Sequence, residues 1–138
     1  MPSPKSRENG FYYAHPQNRF WRIMENLFSE ALTGNKEKTA FLLNYGIALW
    51  DVIKSCDIVS ASDSSIKNVV PNDLKIITEN CDIKMIFTTG LTAHKLYNKF
   101  CYPAVKREDI CFSSTSPANA RKTLADLTEE YKVILNYL

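Results

Sequence analysis

The stretch "IKMIFTTGLTAHKLYNKF" (residues 83–100) changes its period halfway along. Ile83–Thr89 is rich in β-branched and aromatic residues and stops at Gly90, which predicts a short buried strand. From Leu91 the apolar positions Ala93, Leu96/Tyr97 and Phe100 recur at helical spacing and give a helix one inward face. A strand that passes through a glycine directly into a helix is half of a parallel βαβ unit. Downstream, "DICFSS" (109–114) predicts the last strand. A final helix follows, with Ser116 as cap, Pro117 as first residue, and Ala120, Leu124, Leu127, Tyr131, Ile134 and Leu138 on one stripe.

Working back from residue 83, "PNDLKIITEN" (71–80) predicts a helix starting at Pro71 or Asn72, and the Ser- and Asp-rich residues 54–70 predict irregular chain. "GIALW" (46–50) predicts a short buried strand behind a helix over 36–44 that ends at Gly46. Phe20, Ile23/Met24, Leu27 and Ala31 predict a helix from Arg19, with Asn18 as its N-cap. Residues 1–11, with Pro2, Pro4 and Gly10, predict a loop. Strands alternating with helices give the α/β class with a parallel sheet covered on both faces. Ligands in such sheets bind beyond the carboxyl ends of the strands, which selects "TTG" (88–90) and "SSTSPAN" (113–119).

The 138 residues are 45% apolar, enough for one domain with a core. Net charge is only +2, so the total does not announce a nucleic-acid partner. The basic residues do cluster, at Lys5/Arg7/Arg19/Arg22, Lys95/Lys99, Lys106/Arg107 and Arg121/Lys122. The bland reading of such clusters is a solvated surface. No apolar run approaches the ~20 residues of a membrane span, and no charged leader precedes an apolar stretch. Cys56, Cys81, Cys101 and Cys111 form no Cys-x-x-Cys pair, and His15 and His94 complete no zinc pattern. Neither a metal nor a cofactor is expected, and reduced thiols fit a cytoplasmic protein.

"GFYYAHPQNRFW" (10–21), "GIALWDVI" (46–53), "DSSI" (63–66), "VPNDL" (70–74) and "SSTSPAN" (113–119) stand in that order. Together they resemble the uracil-DNA glycosylase superfamily, in particular its hypoxanthine-DNA (deoxyinosine) glycosylase branch, near the mismatch-specific uracil-DNA glycosylases. The resemblance covers nearly all the chain and makes it a single glycosylase domain over 1–138. It implies a three-layer α/β/α sandwich around a short parallel sheet. It also implies hydrolysis of the N-glycosidic bond of deaminated bases in DNA, leaving an abasic site without metal or redox cofactor. Members of the family open with an apolar strand ending in a Gly-x-x-Pro-Ser/Gly turn, whereas this chain begins "MPSPKS", within that turn. By the resemblance the first strand is therefore missing and the domain truncated at its N-terminus. Met1 falls where the mismatch-specific branch carries a water-holding asparagine, which the hypoxanthine branch lacks.

The resemblance gives each site residue a role beside its ordinary reading. Tyr13 aligns with the base-stacking aromatic; otherwise it is a core ring with a polar tip. Asn18 is the catalytic candidate, a neutral amide that positions water; otherwise it caps its helix. His15 and Pro16 shape a turn. Ser3, Ser6 and Arg19 are phosphate candidates at a helix start. In "SSTSPAN", Ser113, Ser114 and Ser116 are phosphate contacts, while Pro117 to Asn119 enter the groove at the vacated position; the ordinary reading is a capped strand-turn-helix. Thr88, Thr89 and Gly90 contact the extruded base, and Asp63 lines the pocket rim. The expected partner is DNA carrying hypoxanthine or uracil, bound by a monomer in the cytoplasm, at the nucleoid in a prokaryote. Two other classes stay open: an inert lesion-binding relative, and a nucleotide-binding domain without a DNA partner.

Overall fold

The computed structural model describes residues 11–58 and 66–138, with side chains described for 11–54 and 70–138. Ser3, Ser6 and Asp63 lie outside the described residues. The elements in chain order are α1 (Phe20–Phe28), α2 (Asn35–Tyr45), β1 (Ile53–Ile58), β2 (Ile66–Pro71), α3 (Lys75–Asn80), β3 (Ile86–Thr89), α4 (Leu91–Leu96), a π turn (Tyr97–Cys101), α5 (Tyr102–Val105), β4 (Asp109–Phe112), α6 (Leu124–Tyr131) and a closing 3-10 turn (Lys132–Tyr137). The chain gathers into two compact units, one of Trp50–Phe112 and one pairing the segment up to Leu49 with Ser113–Leu138.

In the Trp50–Phe112 unit β3 and β4 run parallel, with Ile86 beside Asp109 and Thr89 beside Phe112. The α/β class read from the sequence is therefore present. Phe87 and Phe112 stack across this ladder at 4.9 Å and 6°. The helical stretch after Gly90 is broken where Pro103 lacks the N–H for the next helical bond. A π turn takes up the slack, with the Tyr102 N–H donating to the Tyr97 carbonyl. Tyr97 is fully buried, and its hydroxyl donates to the Arg107 carbonyl at 2.5 Å. Burial first, then the nearby Asp109 carboxylate, pushes this phenol up to about 12.

Of the residues expected to be irregular, 54–58 and 66–70 are corrected to an antiparallel pair, β1 with β2, running from Ile53↔Pro71 to Ile58↔Ile66 with irregular register between, while 59–65 lie outside the described residues. The β-branched Ile53, Ile58, Ile66, Val69 and Val70 outweigh the Ser and Asp between them. Pro71 consequently ends a strand and does not start a helix. Asn72 ties that strand end back, its N–H to the Val52 carbonyl at 2.9 Å and its amide to the Asp51 carbonyl at 2.6 Å. "GIALW" is corrected too: it has no ladder partner among the described residues. Gly46, at φ 66°, closes α2 in the left-handed conformation as expected, and the Ile47 N–H returns to the Leu42 carbonyl.

In the other unit α1 packs on α6. Ile23, Met24, Leu127 and Tyr131 are at most 1% exposed and form the centre of this core. Phe41 joins it through edge contacts with Phe28 at 4.9 Å and Trp21 at 6.4 Å. The last helix does not begin at Ser116–Pro117. It begins at Leu124, after a reciprocal cap in which the Asp126 N–H donates to Thr123 Oγ1 (3.2 Å) and the Thr123 N–H to Asp126 Oδ2 (3.0 Å). Thr123→Ala should lower equilibrium stability by about 1 kcal/mol in urea unfolding; unchanged stability would mean that the box does not set the start of α6.

Candidate active site

The segment ahead of α1 is two tight turns held from the helix. The Trp21 indole N–H donates to the Tyr12 carbonyl at 3.0 Å, and Phe11 lies 5.8 Å from the same ring system. Tyr13 has a φ of 54°, a left-handed conformation that costs a bulky residue roughly 1–2 kcal/mol. Its ring is half-buried and stacks on Phe20 at 4.2 Å and 19°. A strained aromatic held in place by a neighbouring ring is the kind of outlier that collects at functional sites.

In the second turn the Asn18 N–H closes on the His15 carbonyl at 2.9 Å, with Pro16 in the position its fixed φ suits. His15 Nδ1 accepts the Gln17 N–H at 3.1 Å, so this nitrogen serves the turn. Asn18 Oδ1 accepts the Phe20 N–H at 2.9 Å. The helix starts at Phe20, one residue later than expected, and Arg19 is in the N-cap position without a side-chain cap bond; Asn18, one residue before it, still ties down the helix start by accepting the Phe20 N–H. An amide oxygen has two acceptor directions and the cap fills one. Among the described residues the Asn18 amide nitrogen donates to nothing.

Arg19 differs most from the sequence reading. Its backbone N–H donates to the Thr115 carbonyl at 3.1 Å. Its guanidinium donates to the carbonyls of Lys122 (2.5 Å), Asn119 (2.7 Å), Ser116 (2.8 Å) and Thr115 (3.4 Å). A side chain committed to four carbonyls is not offered to a phosphate. The phosphate role read for Arg19 is replaced by that of a loop-organising residue. Where a helix was expected from Pro117 there is a turn, in which the Ser116 carbonyl accepts both the Asn119 N–H (3.0 Å) and the guanidinium (2.8 Å).

The loop they shape is otherwise self-bonded. Ser114 Oγ accepts the Ser116 N–H (3.1 Å), Ser116 Oγ accepts the Ala118 N–H (3.2 Å), and the Asn119 amide donates to the Ser114 carbonyl (3.0 Å). Thr115 is buried, whereas Pro117 and Ala118 are exposed at the tip. Ser114 and Ser116 use their oxygens as acceptors here and keep their hydroxyl protons for a further partner. Ser113 does not: its N–H and hydroxyl both donate to Glu130 Oε1, at 2.9 and 3.1 Å, and its carbonyl accepts the Tyr131 hydroxyl at 2.7 Å. Its role as a phosphate contact is withdrawn for that reason. Lys122 Nζ completes the arrangement at 3.2 Å from Glu130 Oε2. Burial raises the Glu130 carboxyl, but the Ser113 and Lys122 bonds outweigh burial and hold it below its ordinary value. Glu130 was not singled out in the sequence, because a glutamate on an amphipathic helix carries no local mark of a partner seventeen residues away.

In the Trp50–Phe112 unit Thr88 is 5% exposed, and its hydroxyl donates to Asp109 Oδ2 at 2.5 Å. Strand alternation turns Thr88 inward, so it is removed from the base-contacting set. The buried Asp109 also bonds His94 Nδ1 at 2.8 Å and the Asn98 amide at 3.4 Å. This ties β3, α4, the π turn and β4 through one carboxylate. Thr89 is half-buried at the strand's carboxyl end. Gly90 has φ 99° and ψ 154°, a backbone region essentially restricted to glycine, and its N–H donates to the Phe112 carbonyl at 2.8 Å. Among the described residues no three His, Cys, Asp or Glu side chains gather to hold a metal ion. None of the described helices is long and apolar enough to cross a membrane.

Residues 1–138 match the family described as the Uracil DNA glycosylase superfamily. A hypoxanthine DNA glycosylase from Methanosarcina barkeri is 28% identical over 93 residues, covering 65% of this chain and 59% of the relative. One from Methanosarcina acetivorans is 32% identical over 81 residues, covering 57% of this chain and 51% of the relative. The chain thus spans between half and three-fifths of the curated relatives it matches. The solution NMR structure of a candidate uracil DNA glycosylase from M. acetivorans superposes with a TM-score of 0.77 at 26% identity, over 97% of this chain and 86% of that one.

The Glu130 geometry sets a pH dependence. A carboxyl whose folded value is depressed contributes stability above its unfolded value, and this is lost as pH falls through the folded one. Wild type should therefore be more stable than Glu130→Gln at pH 7, and the gap should close as acid protonates Glu130. Urea unfolding of both proteins at stepped pH reads this directly; a gap that stays constant into the acid range would contradict it.

Proposed function

Because the chain belongs to the uracil DNA glycosylase superfamily, we propose that it hydrolyses the N-glycosidic bond of deaminated bases in DNA, with hypoxanthine as the first substrate and uracil as the second. What supports this reading is that Tyr13, Asn18 and the 113–119 loop belong to one compact unit, in which Arg19, the residue after Asn18, bonds the loop. The two relatives described as hypoxanthine DNA glycosylases support the choice of base.

A base inside a duplex is out of reach, so the nucleotide must rotate out at a cost of a few kcal/mol. Stacking on an aromatic ring returns ~1–3 kcal/mol per base, and Tyr13 supplies that ring. Of Pro117 to Asn119, the exposed Pro117–Ala118 tip fills the gap in the stack, as apolar wedges do, while Asn119, whose amide is held by the Ser114 carbonyl, stays at the base of the tip. Ser114 and Ser116 donate their hydroxyl protons to backbone phosphates, fixing register without reading sequence.

Breaking the glycosidic bond leaves positive charge on the sugar, and the bonding electron pair departs with the base. Water adds to the sugar carbon, and its proton ends in solvent or on the base. Asn18 orients that water with the second acceptor direction of Oδ1, the cap bond to Phe20 having fixed the amide plane. Orientation of this kind supplies several kcal/mol without requiring a strong base. The protein acts as a monomer on cytoplasmic, nucleoid-associated DNA. The cap bond also favours a second reading, an inert lesion-binding relative in which Asn18 only caps α1.

Two variants separate these readings. Asn18→Ala should lower single-turnover cleavage of a hypoxanthine oligonucleotide at least about tenfold, with DNA affinity at fixed salt largely kept. Asn18→Ser retains a capping oxygen and should show the same loss. Unchanged abasic-site formation in both would return Asn18 to a purely capping role.

A further inference from the structure

Arg19 follows the proposed water-orienting residue in sequence, yet its side chain reaches the loop 96–103 residues away. From this geometry we infer that Arg19 is the positioning residue that couples the 115–122 loop to the Asn18 amide, so that the proposed hole-filling tip is already formed before DNA arrives. This rests on the glycosylase reading above.

Three facts carry it. The planar guanidinium spreads its donors over four carbonyls that point at one centre. A lysine ammonium is a compact point charge with three donors and cannot reproduce that fan. The Arg19 N–H takes the Thr115 carbonyl at 3.1 Å while the Asn18 oxygen takes the Phe20 N–H at 2.9 Å, so loop and amide are fixed to the same turn of backbone. Finally, Pro117 and Ala118 are exposed while Thr115, two residues earlier, is buried. The loop therefore has a rooted base and a bare tip. Ordering such a tip during folding removes that entropy cost from the binding step.

A residue that acts through a hole-filling loop should matter where there is a hole. A duplex with an extruded base has one; a single strand does not. Single-turnover cleavage of one hypoxanthine-containing strand, alone and in duplex, tests this with wild type, Arg19→Lys and Arg19→Gln. The ratio of duplex to single-strand rate should fall at least about tenfold in both variants, the flipping step being the one affected. Pro117→Gly with Ala118→Gly, which loosens the tip while Arg19 is intact, should lower the ratio in the same direction. Equal losses on both substrates, no loss on either, or failure of both Arg19 variants to fold by circular dichroism would overturn the inference, since Arg19 would then support the unit as a whole or nothing at all. If wild type cleaves neither substrate, the glycosylase reading is what fails. The coupling is then read from amide hydrogen exchange: Arg19→Lys should speed exchange of the Asn119 N–H, now bonded to the Ser116 carbonyl at 3.0 Å, and unchanged exchange would overturn it.

Discussion

One cation among four peptide carbonyls is the contact on which the unit containing Tyr13 and Asn18 depends. Hydrogen bonds to a charged group are worth roughly 1.5–3 kcal/mol each, more than neutral ones. Their geometric effect is larger still. The 115–122 segment has the composition of a helix start, with a serine cap and a proline behind it, yet it folds as a turn that folds back on Arg19. The Thr115, Ser116, Asn119 and Lys122 carbonyls face the guanidinium, and the Ser116 carbonyl also closes the turn on the Asn119 N–H. The helix start moves to Thr123, whose N–H is taken by Asp126. An eight-residue loop with an exposed Pro-Ala tip is the result.

Glu130 performs the same service at the root of the loop. It holds Ser113 by two bonds and Lys122 by one, and the Tyr131 hydroxyl takes the Ser113 carbonyl. The loop is thus fastened from α1 at one side and from α6 at the other. Since α1 and α6 share the buried Ile23, Met24, Leu127 and Tyr131, loop geometry follows from core packing. Stability and presentation of the tip are linked in this unit.

Local pattern made some elements readable and long-range chemistry hid others. Gly46 and Gly90 marked their junctions because positive φ is a local demand, and β3 with its following helix followed from periodicity alone. The β1–β2 pair was not legible, because the Ser and Asp residues of 54–70 masked the β-branched ones that pair. "GIALW" had strand composition but no ladder partner among the described residues. Of the candidate site, the small-residue loop was selected by its place after a strand, whereas spacing marked Asn18 only as a cap and its proposed role came from the family resemblance. Arg19 was visible as a charge but not as a clamp, since its acceptors are backbone atoms that any residues would supply. Thr88 stood at the right end of a strand but on the wrong side of it, with its hydroxyl on Asp109.

The most direct measurement of the clamp is the side-chain nitrogen spectrum of Arg19, recorded free and with hypoxanthine-containing DNA. A guanidinium seated on four carbonyls rotates slowly about its C–N bonds and exchanges its protons slowly, and the account predicts both properties in the two states. Rapid rotation in the free protein, or signals that shift to phosphate-like partners on adding DNA, would contradict it.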